Sequence, residues 1–173
     1  MENVALEQVL LARERRAAAR RRLLDVYPGA AVVCLGVNMP GPVKRTPAAE
    51  RVFYAGLRAL RAALPAALVC AEERVDAPTG LEARFAVAED VMTLKKLACA
   101  LEEGLAFGRL LDIDVAGRDG LPVPRAAAGL RPRACLVCGR EGAYCASRRL
   151  HPLDELIAAF NALAAHAPEE GPC

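Results

Sequence analysis

Apolar residues along the chain follow two rhythms. Val52, Phe53, Leu57, Leu60 and Leu64 recur at the spacing of one helical face. Thr46 stands where a helix cap belongs, Pro47 suits the first helical position and Pro65 ends the run, which predicts a helix between them. Val91, Leu94, Ala98 and Leu101 repeat the pattern from Glu89 to Glu103, with acidic residues at the start and Gly104 as a stop. Leu153, Leu156, Ile157, Phe160 and Leu163 repeat it again after Pro152. Near the N-terminus, Leu6, Leu10, Ala17 and Leu24 predict the buried stripe of an amphipathic helix over residues 2 to 25. Arg13, Arg15, Arg16, Arg20, Arg21 and Arg22 fill much of the rest, read first as a solvated face and second as a surface for an anionic ligand or partner.

The second rhythm is shorter. AAVVCLGVN, 30 to 38, reads as a buried strand, and strands are expected at 66 to 73 and 82 to 88 around the turn-like VDAPTG. In LLDIDV, Leu111, Ile113 and Val115 alternate with Asp112 and Asp114, so one face of a strand is apolar and the other carries two carboxylates. AGRDG supplies the turn of a hairpin into a further strand at LPVP, RAAAGLRPR reads as an irregular link, and APEEGPC, 167 to 173, as a frayed end. The order αβαββαββ followed by α predicts an α+β fold: a single domain over 1–173 with a mixed or antiparallel sheet packed by helices. Residues 132–166 form its appendage, a cysteine cluster and a C-terminal helix.

Composition changes this picture little. With 173 residues the chain suits one core. Its 23 basic and 21 acidic residues nearly cancel, and aromatic residues make up only 4%, so neither bulk attraction to nucleic acid nor stacking on bases is favoured. No run is long and apolar enough to span a bilayer and no secretory leader is evident, which predicts a cytoplasmic protein without a membrane partner. Of seven cysteines, Cys34, Cys70 and Cys99 sit singly in apolar segments, as packed thiols do in a reducing compartment.

Two features carry candidate chemistry. Asp is depleted in strands, yet Asp112 and Asp114 share one face of a strand. Two fixed carboxylates can hold Mg²⁺ beside substrate phosphates, the arrangement used in phosphoryl and nucleotidyl transfer; the plain alternative is a half-exposed strand with acidic outward side chains. The second feature is Cys135, Cys138, Cys145 and His151, spaced Cys-x2-Cys-x6-Cys-x5-His. Four soft ligands in that span suit a closed, structural zinc site; packed thiols are the alternative.

The stretch Gly108-Arg109-Leu110-Leu111-Asp112-Ile113-Asp114-Val115 resembles the Gly-Arg-Leu-aromatic-Asp-Ile-Asp-Val signature of the CitX family, the holo-acyl-carrier-protein synthases of citrate lyase. Pro40-Gly41-Pro42-Val43-Lys44 resembles that family's Pro-Gly-Pro-Ile/Val-Lys turn, and Arg133, Cys135, Cys138, Cys145 and His151 match its Arg-x-Cys-x-x-Cys, Cys and His spacing. The resemblance implies a nucleotidyltransferase-like enzyme that moves phosphoribosyl-dephospho-CoA from triphosphoribosyl-dephospho-CoA to a serine of the apo acyl carrier subunit of citrate lyase, releasing pyrophosphate. Asp112 and Asp114 are then the catalytic, Mg²⁺-binding pair, and Arg109 and Lys44 candidate phosphate ligands. Strict alternation, however, points Arg109 away from the aspartates. Leu105-Ala106-Phe107 replaces the family's usual His-Pro-Leu. With only His151 and His166 in the chain, a carboxylate or metal-bound base is expected; Glu102 is a candidate, though a solvated helix end is its plainer reading. Transfer to the malonate decarboxylase carrier is the nearest alternative, and a zinc-containing nucleic-acid-binding module or an inactive partner of a lyase complex are alternatives from other classes.

Overall fold

The computed structural model describes residues 3–169. In chain order the elements are α1 (Leu6–Val26), β1 (Ala31–Val37), α2 (Pro47–Ala63), β2 (Val69–Ala77), β3 (Gly80–Val87), α3 (Val91–Gly104), β4 (Leu111–Ala116), α4 (Gly142–Ser147) and α5 (Leu153–Ala164). The strands form one antiparallel sheet in the order β2-β3-β1-β4. This is the α+β architecture expected, with one correction to the order of elements: the last expected strand, a hairpin partner of β4 at LPVP, does not form, and only an isolated bridge from Ala116 to Pro122 stands there.

Local chemistry explains most boundaries. The Thr46 hydroxyl accepts the Ala49 N–H at 3.0 Å, and the Asp90 carboxylate accepts the Thr93 N–H at 2.8 Å, so each helix begins at a side chain that satisfies a free backbone donor. The β2–β3 hairpin differs from expectation. β2 runs on through Val75, Asp76 and Ala77, and the turn is only Pro78-Thr79 before Gly80, whose φ is +121°. The turn-like composition of VDA reflects an edge strand with charged outward side chains: Glu72 pairs with Arg61, Glu73 with Arg22 and Asp76 with Arg45.

The two faces of the sheet are unlike. On one, Val33, Leu35, Phe85, Leu111, Ile113 and Val115 are buried against Val52, Phe53, Leu57 and Leu60 of α2, Leu94 and Ala98 of α3 and Phe160 of α5. Each such side chain contributes roughly 1.5–3 kcal/mol of burial. On the other face, Leu23 of α1 packs on Val32, Cys34 and Ala86 in a much smaller cluster.

The stripe expected for α1 is therefore corrected. Leu6 and Leu10 are 72% and 47% exposed; of the expected stripe Leu24 packs against the small cluster, and the buried anchor is Leu23. Beyond it the inward positions of the helix are arginines, because they meet a polar strip of the sheet. After β4, a turn closed by Gly120 N–H to Gly117 O at 2.9 Å leads to a single bridge, Ala116 to Pro122, and a short turn of 3-10 helix follows at Arg125–Ala128. The last four residues of the expected frayed end, Cys173 among them, lie outside the described residues.

Gly108 opens a tight turn, Gly108–Leu110, pressed against the end of α3. A Cβ there would lie 2.5 Å from the Leu101 carbonyl oxygen and 2.7 Å from that of Glu102. Gly108→Ala is expected to lower unfolding free energy by about 1–3 kcal/mol in denaturant titration. Gly104→Ala, with open space at its Cβ, is expected to leave it unchanged or raise it. Equal effects would show that close approach is not what Gly108 provides.

Candidate functional site

β4 delivers the two carboxylates as its alternation requires. Leu111, Ile113 and Val115 are fully buried, while Asp112 is exposed and Asp114 half-buried on the opposite face. Across the ladder Asp112 stands opposite Gly36 and Asp114 opposite Cys34, which in turn pairs with Arg84 of β3. Gly36 presents no side chain toward the carboxylates, and this row of the sheet stays open. The result is a cleft of about 300 Å³ with Asp112 and Asp114 on its floor and Arg13, Arg16 and Arg20 of α1 along its wall.

Lys44 joins the same region. It lines a smaller recess of about 50 Å³ that shares Arg16, Gly36, Glu82 and Asp112 with the larger cleft. Its ammonium donates to the Met39 carbonyl at 2.6 Å, and burial pulls its pKa below the usual lysine value. Asp112 and Asp114 thus share the cleft, and Lys44 shares the adjoining recess with Asp112. Arg109 is not: it sits in the turn before β4, its Nε donates to the Ala134 carbonyl at 2.6 Å, and it faces the cysteine-bearing segment. The strand does begin after Arg109, but the turn carries the side chain to the other side of the β4 edge.

Burial pushes the Asp114 carboxyl above the ordinary aspartate range, and the neighbouring charge of Asp112 adds to the effect. Lys95, Arg20 and Arg133 oppose it. Lys95 is a 3% exposed residue of α3 and an unexpected charge behind the strand, on the buried side of a helix whose apolar stripe gives no sign of it.

Glu102 is neither a solvated helix end nor a group open to the cleft. It is buried at the free edge of β4, where Oε1 accepts the Ile113 N–H at 2.9 Å. Arg125 donates to its Oε2 at 2.7 Å, and Arg133 bridges Glu102 to Asp112, the second contact at 3.1 Å. Burial raises its pKa, while Arg133, the Ile113 amide and Arg125 favour the charged form.

The second constellation also assembles. Cys135, Cys138, Cys145 and His151 place their ligand atoms within 4.8 Å of one another. The Cys138 and Cys145 sulfurs are 3.5 Å apart, and His151 Nε2 is 3.2 Å from Cys138 Sγ. Four-coordinate zinc with thiolate ligands requires sulfurs about 3.5–4 Å apart, so the donor set and its spacing fit. The Cys135 N–H donates to the Arg140 carbonyl at 2.6 Å and the Gly139 N–H to the Cys135 carbonyl at 3.3 Å, with Gly139 at φ +71°, which folds the Cys-x2-Cys segment back on itself. The short helix α4 brings Cys145 in, and the Glu155 carboxylate lies 3.6 Å from His151 Nδ1, as an orienting carboxylate would. Against the cost of burial, amide hydrogen bonds from Cys138 and Val137 and the neighbouring thiols bring Cys135 down to about 7.

Sequence reasoning missed that Arg13, Arg16 and Arg20 line the cleft, and the partners Glu82 and Arg84 beneath them. The signal was present in the spacing: 13, 16, 20 and 23 lie on one helical face, three arginines continued by the buried Leu23.

The raised pKa of Asp114 fixes a sign. Its ionised form is disfavoured in the folded state, so it lowers stability above its native pKa, and this penalty disappears below the unfolded value of about 3.9. Asp114→Asn is expected to raise Tm at pH 7, with the gap to the parent protein closing as pH falls toward 4. A gap that is constant with pH, or of opposite sign, would contradict the proposed burial of charge.

Comparison with known proteins places the chain as a whole. The sequence profile described as "CitX: Apo-citrate lyase phosphoribosyl-dephospho-CoA transferase" matches residues 4–167. A probable apo-citrate lyase phosphoribosyl-dephospho-CoA transferase of Streptococcus pyogenes serotype M18 is 33% identical over 166 residues, covering 94% of this chain and 86% of that protein. An apo-citrate lyase phosphoribosyl-dephospho-CoA transferase of Escherichia coli O139:H28 is 32% identical over 162 residues, covering 92% and 88%. The protein CitXG of Haemophilus influenzae is 35% identical over 163 residues, 93% of this chain but 35% of that longer protein. With a profile match across nearly its whole length and relatives aligned almost end to end, the chain belongs to the CitX family of apo-citrate lyase phosphoribosyl-dephospho-CoA transferases.

Proposed function

We propose that the protein attaches phosphoribosyl-dephospho-CoA to a serine of the apo acyl carrier subunit of citrate lyase, with triphosphoribosyl-dephospho-CoA as donor and pyrophosphate as the leaving product. The observation that carries this reading is the Asp112–Asp114 pair on the floor of a cation-walled cleft, in a chain of the CitX family. In the transfer, the serine oxygen forms a bond to the donor phosphorus nearest the sugar, the bond from that phosphorus to the pyrophosphate oxygen breaks, and the serine proton is lost.

Asp112 and Asp114 suit Mg²⁺, since they offer hard oxygen ligands from one rigid strand beside room for phosphates. Bound there, the ion would neutralise phosphate charge and assist the departing pyrophosphate. This chain's own residues do the rest. The apolar backing of Leu111, Ile113 and Val115 fixes the spacing of the two carboxylates, Arg133 holds Asp112 from the side, and Lys44 presents a positive charge at the rim. Neither His151 nor His166 is among the residues lining the cleft, which supports a carboxylate or metal-bound base for the serine proton.

The cysteine cluster supports a structural zinc site, closed by four protein ligands. It would clip α4 and the start of α5 to the segment that carries Arg133. No helix among the described residues is long and apolar enough to cross a membrane. The six described cysteines are all unpaired, which supports action in a reducing cytoplasm.

Incubating the protein with donor, Mg²⁺ and apo-carrier is expected to add the prosthetic group to the carrier, read by intact-mass spectrometry. Asp112→Asn should slow the transfer at least about 100-fold. Full activity of that variant would remove the carboxylate from the mechanism. Offering the citrate lyase and malonate decarboxylase carriers in competition should favour the former. For the cysteine cluster, elemental analysis is expected to find one zinc per chain; Cys138→Ser should lose it and lower Tm by roughly several degrees. A zinc-free protein of undiminished stability would leave the four residues as packed thiols.

A further inference from the structure

The wall of the cleft holds more positive charge than its own carboxylates consume. Glu82 is shared by Arg16, at 3.0 Å, and Arg84, at 2.7 Å. Arg84 is only 7% exposed, and its Nε is buried with no hydrogen-bond partner. Arg20 lines the cleft and uses Nε on the Gly120 carbonyl at 3.3 Å, its two terminal nitrogens making no hydrogen bond among the described residues. Arg13 has no ion-pair or hydrogen-bond partner among the described residues, and Lys44 spends one of three donors on Met39. An ordinary amphipathic helix lying on a sheet would be apolar at positions 13, 16 and 20. Here they are arginine, held over the sheet by Leu23 at one end and by the Arg16–Glu82 pair in the middle.

A guanidinium row facing a strand with two carboxylates has a definite chemical complement. A ligand anionic enough for Arg13, Arg20 and Lys44 together, and able to share a divalent cation with Asp112 and Asp114, is a di- or triphosphate chain. We infer that α1 forms the pyrophosphate cradle of the site, with Arg13 and Arg20 gripping the two phosphates that leave. Charge builds on the leaving oxygen as its bond to phosphorus breaks, so fixed donors there stabilise the transition state more than the ground state. Arg16 is the pillar of this arrangement, because it ties the helix to Glu82. Arg15, exposed on the same helix and absent from the cleft lining, is the natural control for diffuse electrostatics.

This inference rests on the transferase reading, but its test separates the two. Inorganic pyrophosphate with Mg²⁺, titrated calorimetrically into the full chain, is expected to bind. Arg13→Ala/Arg20→Ala should bind at least tenfold more weakly, with an unaltered circular dichroism spectrum, whereas Arg15→Ala should stay within twofold. Arg13→Lys/Arg20→Lys, which keeps both charges, should restore part of the affinity. In the transfer assay the double alanine variant should raise KM for the donor and lower kcat, with KM for the carrier unchanged. Pyrophosphate binding equal in the parent and double alanine proteins would overturn the cradle, as would an equal loss on Arg15→Ala. A defect confined to KM for the carrier would likewise overturn it and assign the arginines to protein docking. Arginine-dependent pyrophosphate binding in a protein that modifies no carrier would uphold the cradle and refute the transferase reading.

Discussion

One buried carboxylate holds the working edge of the sheet. β4 pairs with β1 on one side only, and an edge strand left with free amides invites foreign pairing. Glu102 closes that edge at Ile113, and Val123 closes it at Val115, where its N–H donates to the carbonyl at 2.7 Å. A buried ionised carboxylate is costly unless every lone pair finds a partner, and Arg125 and Arg133 supply those partners. The consequence reaches the cleft, because Arg133 also holds Asp112. It reaches the cysteine segment as well, since the Arg133 carbonyl accepts the Gly142 N–H at 2.8 Å and Cys135 follows two residues later. Glu102 thus joins helix, strand, carboxylate pair and the Cys/His cluster through two arginines.

The two faces of the sheet divide labour. Under α2, α3 and α5 the residues are apolar and closely fitted, and that face provides most of the cohesion. Under α1 the sheet presents Glu82, Arg84, Asp112 and Asp114, and only Leu23 and its neighbours provide apolar contact. Two neighbouring carboxylates on a half-covered surface weaken the fold, as the raised pKa of Asp114 indicates. Such a strip is tolerated because the opposite face of the same strands is so well packed. Stability is surrendered where charge is needed and recovered one strand thickness away.

What could be read in advance follows from this division. Wherever the inward face is apolar, periodicity locates the element: β1, α2, α3 and α5 fall close to their expected bounds, and the alternation through Asp112 and Asp114 places both on the polar face. The cysteine spacing was legible for a related reason, since ligand chemistry demands particular residue types at short separation. The inward face of α1 was not, because it is built of arginines and a search for apolar stripes selects the wrong side of the helix. Glu102 and Lys95 were hidden too: a buried charge betrays itself only through partners, and those of Glu102 lie 23 and 31 residues further along the chain. Arg109 faces away from the aspartates, as alternation had it, although it lies in the turn before the strand.

The pairing of β4 with β1 has a consequence in time. β2 and β3 meet through a two-residue turn, but Asp112 faces Gly36 and Asp114 faces Cys34 across nearly half the length of the chain. Closing so long a loop is entropically expensive and comes late compared with local contacts. The carboxylates and the arginines of α1 are therefore brought face to face by strand pairings of long sequence separation. A nascent or half-folded chain has the ingredients of the site dispersed, and the capacity to engage a highly charged nucleotide arises together with the finished topology.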